Sequence, residues 1–217
     1  MRFTLAAAAL LASLFSARAQ TQNDPASIEG TWSSGTGAVS TGGQICIPGT
    51  LETTTFTYPN NTGISYSFTT DGHFEEVLYR YKSNATDPRC ITGFISWQHG
   101  TYTFEGDGLK LTPFESDGRI QVQDPCAAVT NQITYYNQIM TMKNWGVSID
   151  PLTARYTLNL FGFDGAPVPP LYLIARPPNM LPTHTLTGTN STGQTSTRRR
   201  RYSVTSLLKR LANADSA

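Results

Sequence analysis

Histidine and cysteine are scarce in this 217-residue chain, with three of each. His73, His99 and His184 lie far apart, which argues against a His-rich metal site. No Cys-x-x-Cys, Gly-x-Ser-x-Gly, His-Glu-x-x-His or phosphate-cradling glycine loop occurs. The common signatures of hydrolase, zinc-protease and nucleotide chemistry are therefore missing, and no catalytic, cofactor-binding or metal-ligating residues are expected. Long apolar runs are missing beyond the N-terminus. The longest later one, Pro169 to Ala175, is far short of the ~20 residues that span a bilayer and reads as a strand, so the mature protein is expected to be soluble. Lysine is also scarce, whereas glycine, threonine, proline and aromatics are plentiful, as in an all-β globule.

What is present begins with Arg2, an apolar run from Phe3 to Phe15, and Ala17-Arg18-Ala19. This is the n-region, h-region and small-x-small cleavage layout of a secretory signal peptide, predicting residues 1–19 as the signal and Gln20 as the mature start. The formal net charge of +1 conceals an asymmetry. Gln20 to Pro182 holds 8 basic and 14 acidic residues, and Thr183 onward holds 6 basic and 1 acidic. An acidic globule with a basic tail argues against nucleic acid as the globule's partner.

In an oxidising compartment Cys46, Cys90 and Cys126 allow three single-bridge pairings and leave one thiol. Cys90 and Cys126 both sit beside turn signals, Asp87-Pro88-Arg89 and Asp124-Pro125, which favours their pairing at strand ends. Sequons at Asn60, Asn84 and Asn190 gain weight from the signal peptide as N-glycosylation sites.

Turn signals divide the chain into strands. Gly30–Ser34 opens the domain. Ile64–Thr69 alternates apolar and polar residues, turns at Thr70-Asp71-Gly72, and returns as His73–Tyr81. A second hairpin joins Phe94–Phe104 to Leu109–Phe114, followed by Arg119–Gln123, one or two strands in Ile133–Ile149, then Ala154–Phe163 and Leu171–Arg176. The spacing predicts an antiparallel lipocalin-like β-barrel or a sandwich of about 8–10 strands over residues 20–182. Gly30-Thr31-Trp32 fits either a lipocalin-type barrel entry or an ordinary first strand with a core Trp. Residues 183–201 read as a disordered Ser/Thr-rich basic linker, and 202–217 as a short amphipathic stretch. Arg198–Arg201 fits a convertase site, a membrane-surface patch or a solvated tail.

Glu75 and Glu76 are strand neighbours, so they point to opposite faces and cannot form a glycosidase pair together. One of them could pair with Asp71, Asp150 or Asp164 if the separation were roughly 5 or 6.5–9.5 Å; otherwise at least one marks a solvated strand face. His99 reads as a structural histidine.

The run Gly63 to Glu76 resembles the signature of the fungal reversal-of-TOR-lethality family. Further matches follow in order: Gln98-His99-Gly100-Thr101-Tyr102, Asp117-Gly118-Arg119, Asp124-Pro125-Cys126, Asp164-Gly165, Pro170-Leu171-Tyr172-Leu173 and Met180-Leu181-Pro182-Thr183. They cover about residues 29 to 185. The resemblance implies an endoplasmic-reticulum chaperone, facing the lumen and needed for cell-wall β-1,6-glucan, with no known catalytic residues. Its partners would be unfolded or nascent secretory glycoproteins and cell-wall synthesis proteins. The resemblance also supports the Cys90–Cys126 pairing and leaves Cys46 outside the family pattern. Family members continue into a transmembrane helix, so attachment to the ER membrane through such an anchor is expected, although none is seen up to Ala217. The aromatics Tyr79, Tyr81, Trp97, Tyr135, Tyr136 and Trp145 are candidates for a client-binding surface. A lipid- or glycan-binding module is the alternative, and a wall-glucan enzyme a third reading.

Overall fold

A computed structural model describes residues 28–187. The expected signal peptide, the Asn190 sequon, the linker beyond 187, the Arg198–Arg201 run and the amphipathic stretch 202–217 lie outside the described residues.

The described chain is all β. Its strands are β1 (Gly30–Ser34), β2 (Cys46–Ile47), β3 (Thr55–Phe56), β4 (Gly63–Phe68), β5 (His73–Lys82), β6 (Thr92–Glu105), β7 (Gly108–Pro113), β8 (Arg119–Gln123), β9 (Asn131–Tyr135), β10 (Met140–Met142), β11 (Asn144–Ile149), β12 (Tyr156–Phe161) and β13 (Leu171–Ala175). The long strands stand where alternation and turn signals place them. The β4–β5 hairpin turns at Thr70-Asp71-Gly72, with the Thr69 amide donating to the His73 carbonyl at 3.0 Å and Gly72 at φ +87°. The number of strands exceeds the expected one for two reasons. The segment from Asn131 to Ile149 divides into three, and β2 and β3 form a small separate ladder with no alternating pattern long enough to read in sequence.

The main sheet runs β10-β7-β6-β5-β4-β1-β13-β12-β11, with β8 and then β9 branching from β6. Every pairing is antiparallel. The closed lipocalin-like barrel is not formed. At Lys143 the chain changes partner, because β10 lies on β7 while β11 lies on β12. The hydrogen-bonded ladder stays open there, and the sheet folds over on itself in a sandwich-like arrangement.

Two cores result. Inside the fold, Trp32, Tyr66, Phe68, Phe74, Leu111, Trp145 and Leu158 converge from six strands and fill the space with side chains. Trp32 is fully buried there, and its indole N–H donates to the Ile28 carbonyl at 2.7 Å. On the other face of β5 and β6, Val77, Ile95 and Trp97 meet Val39, Ile45 and Cys46, with Leu181 and Leu186 packed against them. β5 is therefore covered on both faces, so its alternation does not translate into one wet side. Gly118 sits where β8 approaches the end of β9: a Cβ there would lie 1.9 Å from the Tyr136 carbonyl oxygen, which only glycine avoids. Among the described residues, no helix is long and apolar enough to cross a membrane.

Candidate functional site

The conspicuous carboxylates are structural. Glu75 and Glu76 do point to opposite faces, but both are buried, which corrects the expectation of a solvated face. One Glu75 oxygen, Oε1, accepts from the Gly42 amide at 2.6 Å and from the Trp97 indole N–H at 3.1 Å; Oε2 accepts from the Leu181 amide at 2.5 Å. Glu76 accepts from the Tyr66 hydroxyl at 2.8 Å and the Gln98 side-chain amide at 2.6 Å. Burial pushes both carboxyls above their ordinary range, against the pull of these donors. Burial, then Glu75, push the Cys46 thiol far up, so it stays protonated and inert.

A second buried group lies further along the same face. His99 Nε2 is 2.6 Å from Asp117 Oδ2, and the imidazole is flanked by Trp97 and Phe114. Asp117 also accepts from the Leu186 and Thr187 amides at 2.7 and 2.8 Å and from the Thr187 hydroxyl at 2.6 Å. Burial pushes the Asp117 carboxyl up, but its bonds to His99, Thr187 and Leu186 outweigh this and hold it well below the usual range. The Asn179 carbonyl accepts from Thr41 at 2.7 Å and Ser67 at 3.0 Å. Asn179, Glu75 and Asp117 thus pin the segment after β13 across the outer face of the sheet as far as Thr187. Residues 183–187, expected within the solvated linker, belong to this strap.

The remaining acidic candidates are used in local turns. Asp71 bonds to Thr69 and His73, Asp150 accepts from Thr153 and the Leu152 amide, and Asp164 accepts from the Ala166 amide.

The surface feature with binding potential is a groove of about 600 Å³ where β5, β6, β8 and β9 end. Register builds it. Tyr81, Gly93, Gln123 and Asn131 stand side by side across four strands, and Tyr79, Ile95, Gln121 and Ile133 form the next row on the same face. Tyr58, just after β3, packs edge-on against Tyr79 with ring centres 5.4 Å apart. Its hydroxyl donates to Gln121 Oε1 at 2.9 Å, and Gln121 Nε2 donates to Asn131 Oδ1 at 2.8 Å. Burial, then Tyr79, push the Tyr58 hydroxyl up to about 12, so it remains a neutral donor. Tyr81 is 57% exposed and Ile91 46%, and no residue lining the groove is charged.

Of the aromatic candidates, Tyr79 and Tyr81 line this groove, whereas Trp97 and Trp145 are core. Tyr135 is exposed at the opposite end of β9 from the groove, its ring 4.4 Å from the Arg119 guanidinium carbon. Sequence reasoning missed Tyr58, Ile91, Gly93, Gln123 and Asn131. The glycine and the amides carry no signal until strand register aligns them. Cys90 and Cys126 are bridged beside the groove, with Pro125 on its rim, and Asn60 and Asn84 are exposed.

Residues 28–216 match the sequence model of the Rot1 family, described as a chaperone for protein-folding within the ER, fungal. Protein ROT1 of Yarrowia lipolytica is 43% identical over 199 residues, covering 89% of this chain and 79% of that protein. Protein rot1 of Schizosaccharomyces pombe is 46% identical over 169 residues, 77% of this chain and 72% of that protein. The rot1 protein of Emericella nidulans is 45% identical over 177 residues, 80% and 71% of the two chains. No solved structure matches this chain. The chain therefore belongs to the Rot1 family of fungal chaperones for protein folding within the ER.

Proposed function

We propose that this protein holds unfolded or nascent secretory glycoproteins in the ER lumen, among them the proteins that build cell-wall β-1,6-glucan, and that the groove is where it holds them. The observation that carries this is the exposed, uncharged wall of Tyr81 and Ile91 above Tyr79 and Tyr58. Tyrosines supply large apolar contact area at low conformational cost while keeping a polar tip, which suits many different client side chains. Asn60 and Asn84, both exposed, and Asn190 carry N-glycans in this reading, and a C-terminal membrane anchor of the kind the family carries keeps the globule at the ER membrane. The client set extends beyond one pathway, because the groove contains no charge that would select one sequence.

The test is suppression of aggregation of a reduced, denatured glycoprotein at equimolar ratio. The wild-type chain is expected to suppress it, and Tyr81→Ala combined with Ile91→Ser to lose most of that effect while keeping its near-ultraviolet circular dichroism. No suppression by folded wild-type protein overturns the proposal. A second reading, a saccharide site, is favoured by the amides of Gln123 and Asn131 beside tyrosine faces. Competition by a soluble β-1,6-glucan oligosaccharide for the groove, with no effect of unfolded client, decides for it.

A further inference from the structure

The β8–β9 branch of the sheet ends at β9, and its outer edge is unguarded. Among the described residues β9 pairs with β8 and with no other strand. The Asp124 amide donates to the Thr130 carbonyl and the Tyr136 amide to the Gly118 carbonyl, each at 2.9 Å. These two bonds bracket the ladder and fix its phase. Ile120–Thr134 and Val122–Gln132 are the bonded pairs, so Asn131, Ile133 and Tyr135 turn their N–H and C=O groups away from β8.

Natural edges are usually blunted by lysine, proline, a bulge or a covering segment. β9 reads Asn-Gln-Ile-Thr-Tyr, with no charge and no proline, and its register with β8 is unbroken. Isoleucine, threonine and tyrosine favour extended structure. The chemistry of such an edge specifies its occupant. Alternating unmet amides and carbonyls at strand spacing are matched by another extended backbone. A neutral edge favours an uncharged stretch of it. Residues of an added strand that bond to Asn131, Ile133 and Tyr135 place their side chains on the face those residues share with Gln121, Gln123, Tyr79 and Tyr81.

We propose that β9 is a strand-addition edge: it receives an extended, uncharged, β-prone segment of an unfolded client, whose alternate side chains continue the row Tyr81–Gly93–Gln123–Asn131 by one position. This rests on the client-holding reading above and states how the client backbone is gripped.

The test uses the full chain and a fluorescein-labelled octapeptide alternating valine and threonine around a central tyrosine, read by fluorescence anisotropy. Ile133→Pro removes an outward amide without touching the β8 ladder and is expected to weaken binding about tenfold. Gln132→Ala, on the other face, is expected to stay within about twofold, since surface substitutions away from the contact change little. The same peptide with alternate amides N-methylated is expected to lose binding to the wild-type chain, an arm that stands even if Ile133→Pro fails to fold. A folded Ile133→Pro chain that binds like wild type, or undiminished binding of the N-methylated peptide, overturns the proposal. So does a wild-type dimer in sedimentation that Ile133→Pro dissolves, because the edge then belongs to a second copy. Wild-type suppression of client aggregation that survives Ile133→Pro removes the edge but leaves the groove; absence of wild-type suppression removes the client-holding reading itself.

Discussion

Replacing the two buried glutamates by glutamine separates two kinds of hydrogen-bonded carboxylate. Glu75 is surrounded by N–H groups alone, those of Gly42, Trp97 and Leu181. None of them can accept a hydrogen bond. In Glu75→Gln the amide oxygen can keep one side, but the amide nitrogen then faces an N–H, leaving a buried donor unmet and removing charge assistance from the others. The expected cost is about 2–3 kcal/mol. Glu76 faces the Tyr66 hydroxyl and the Gln98 side-chain amide. A hydroxyl can turn and accept, so in Glu76→Gln no two donors are forced to face each other, and the cost should be about 1 kcal/mol. For a chain of this size about 2–4 °C of Tm corresponds to each kcal/mol, which places Glu75→Gln about 4–12 °C below wild type and Glu76→Gln within a few degrees. Calorimetry on the oxidised protein at pH 7 reads both. Equal effects, or a larger one at Glu76, would refute the assignment of donors around the two groups.

Asp117 supplies a pH prediction. Its folded-state pKa lies below its unfolded value, so its contribution to stability is present above the unfolded pKa of about 3.9 and is lost as pH falls towards the lower folded value. Glu75 and Glu76, raised by burial, act in the opposite sense, adding stability as pH falls, and do so alike in wild type and in an Asp117 variant. Denaturant midpoints measured from pH 5 down to pH 2 should therefore fall less steeply in Asp117→Asn than in wild type. The same variant keeps one side-chain oxygen and replaces the other by an NH2 group, so one of the Leu186 and Thr187 amides loses its acceptor, and hydrogen exchange should speed first at this pair. The Cys90–Cys126 bridge closes a loop of sequence separation 36, and Cys90→Ser with Cys126→Ser should cost roughly 3–4 kcal/mol in denaturant unfolding.

How much of this was legible in sequence differs from element to element. The β4–β5 hairpin was, because the alternation in Ile64–Phe68 and the Asp71-Gly72 turn are local signals that tertiary structure did not override. The Cys90–Cys126 pairing could be favoured from two flanking turns. The burial of both Glu75 and Glu76 could not, because one strand's periodicity says nothing about a distant segment, residues 177–187, that returns to cover its second face. The same long-range return placed Leu186 and Thr187 on the globule although their threonine-rich surroundings read as linker. β2 and β3 were too short for any periodic pattern, and with them Tyr58 was lost. In the groove, Tyr79 and Tyr81 announced themselves as aromatics. Gly93, Gln123 and Asn131 became neighbours only through the register of β6, β8 and β9. Openness at Lys143, in place of barrel closure, likewise depends on which strands the two halves of one segment choose.

Site-specific photo-crosslinking in ER membranes reads whether clients are held at the Tyr81 groove. A photoreactive residue in place of Tyr81 is compared with one in place of Leu152, which is 93% exposed on the distant β11–β12 turn. A nascent secretory glycoprotein synthesised in those membranes is expected to crosslink to position 81, the product to fade as the client matures, and position 152 to give little. Equal labelling from both positions, or none from position 81 while the client still depends on this protein to fold, would contradict holding at the groove.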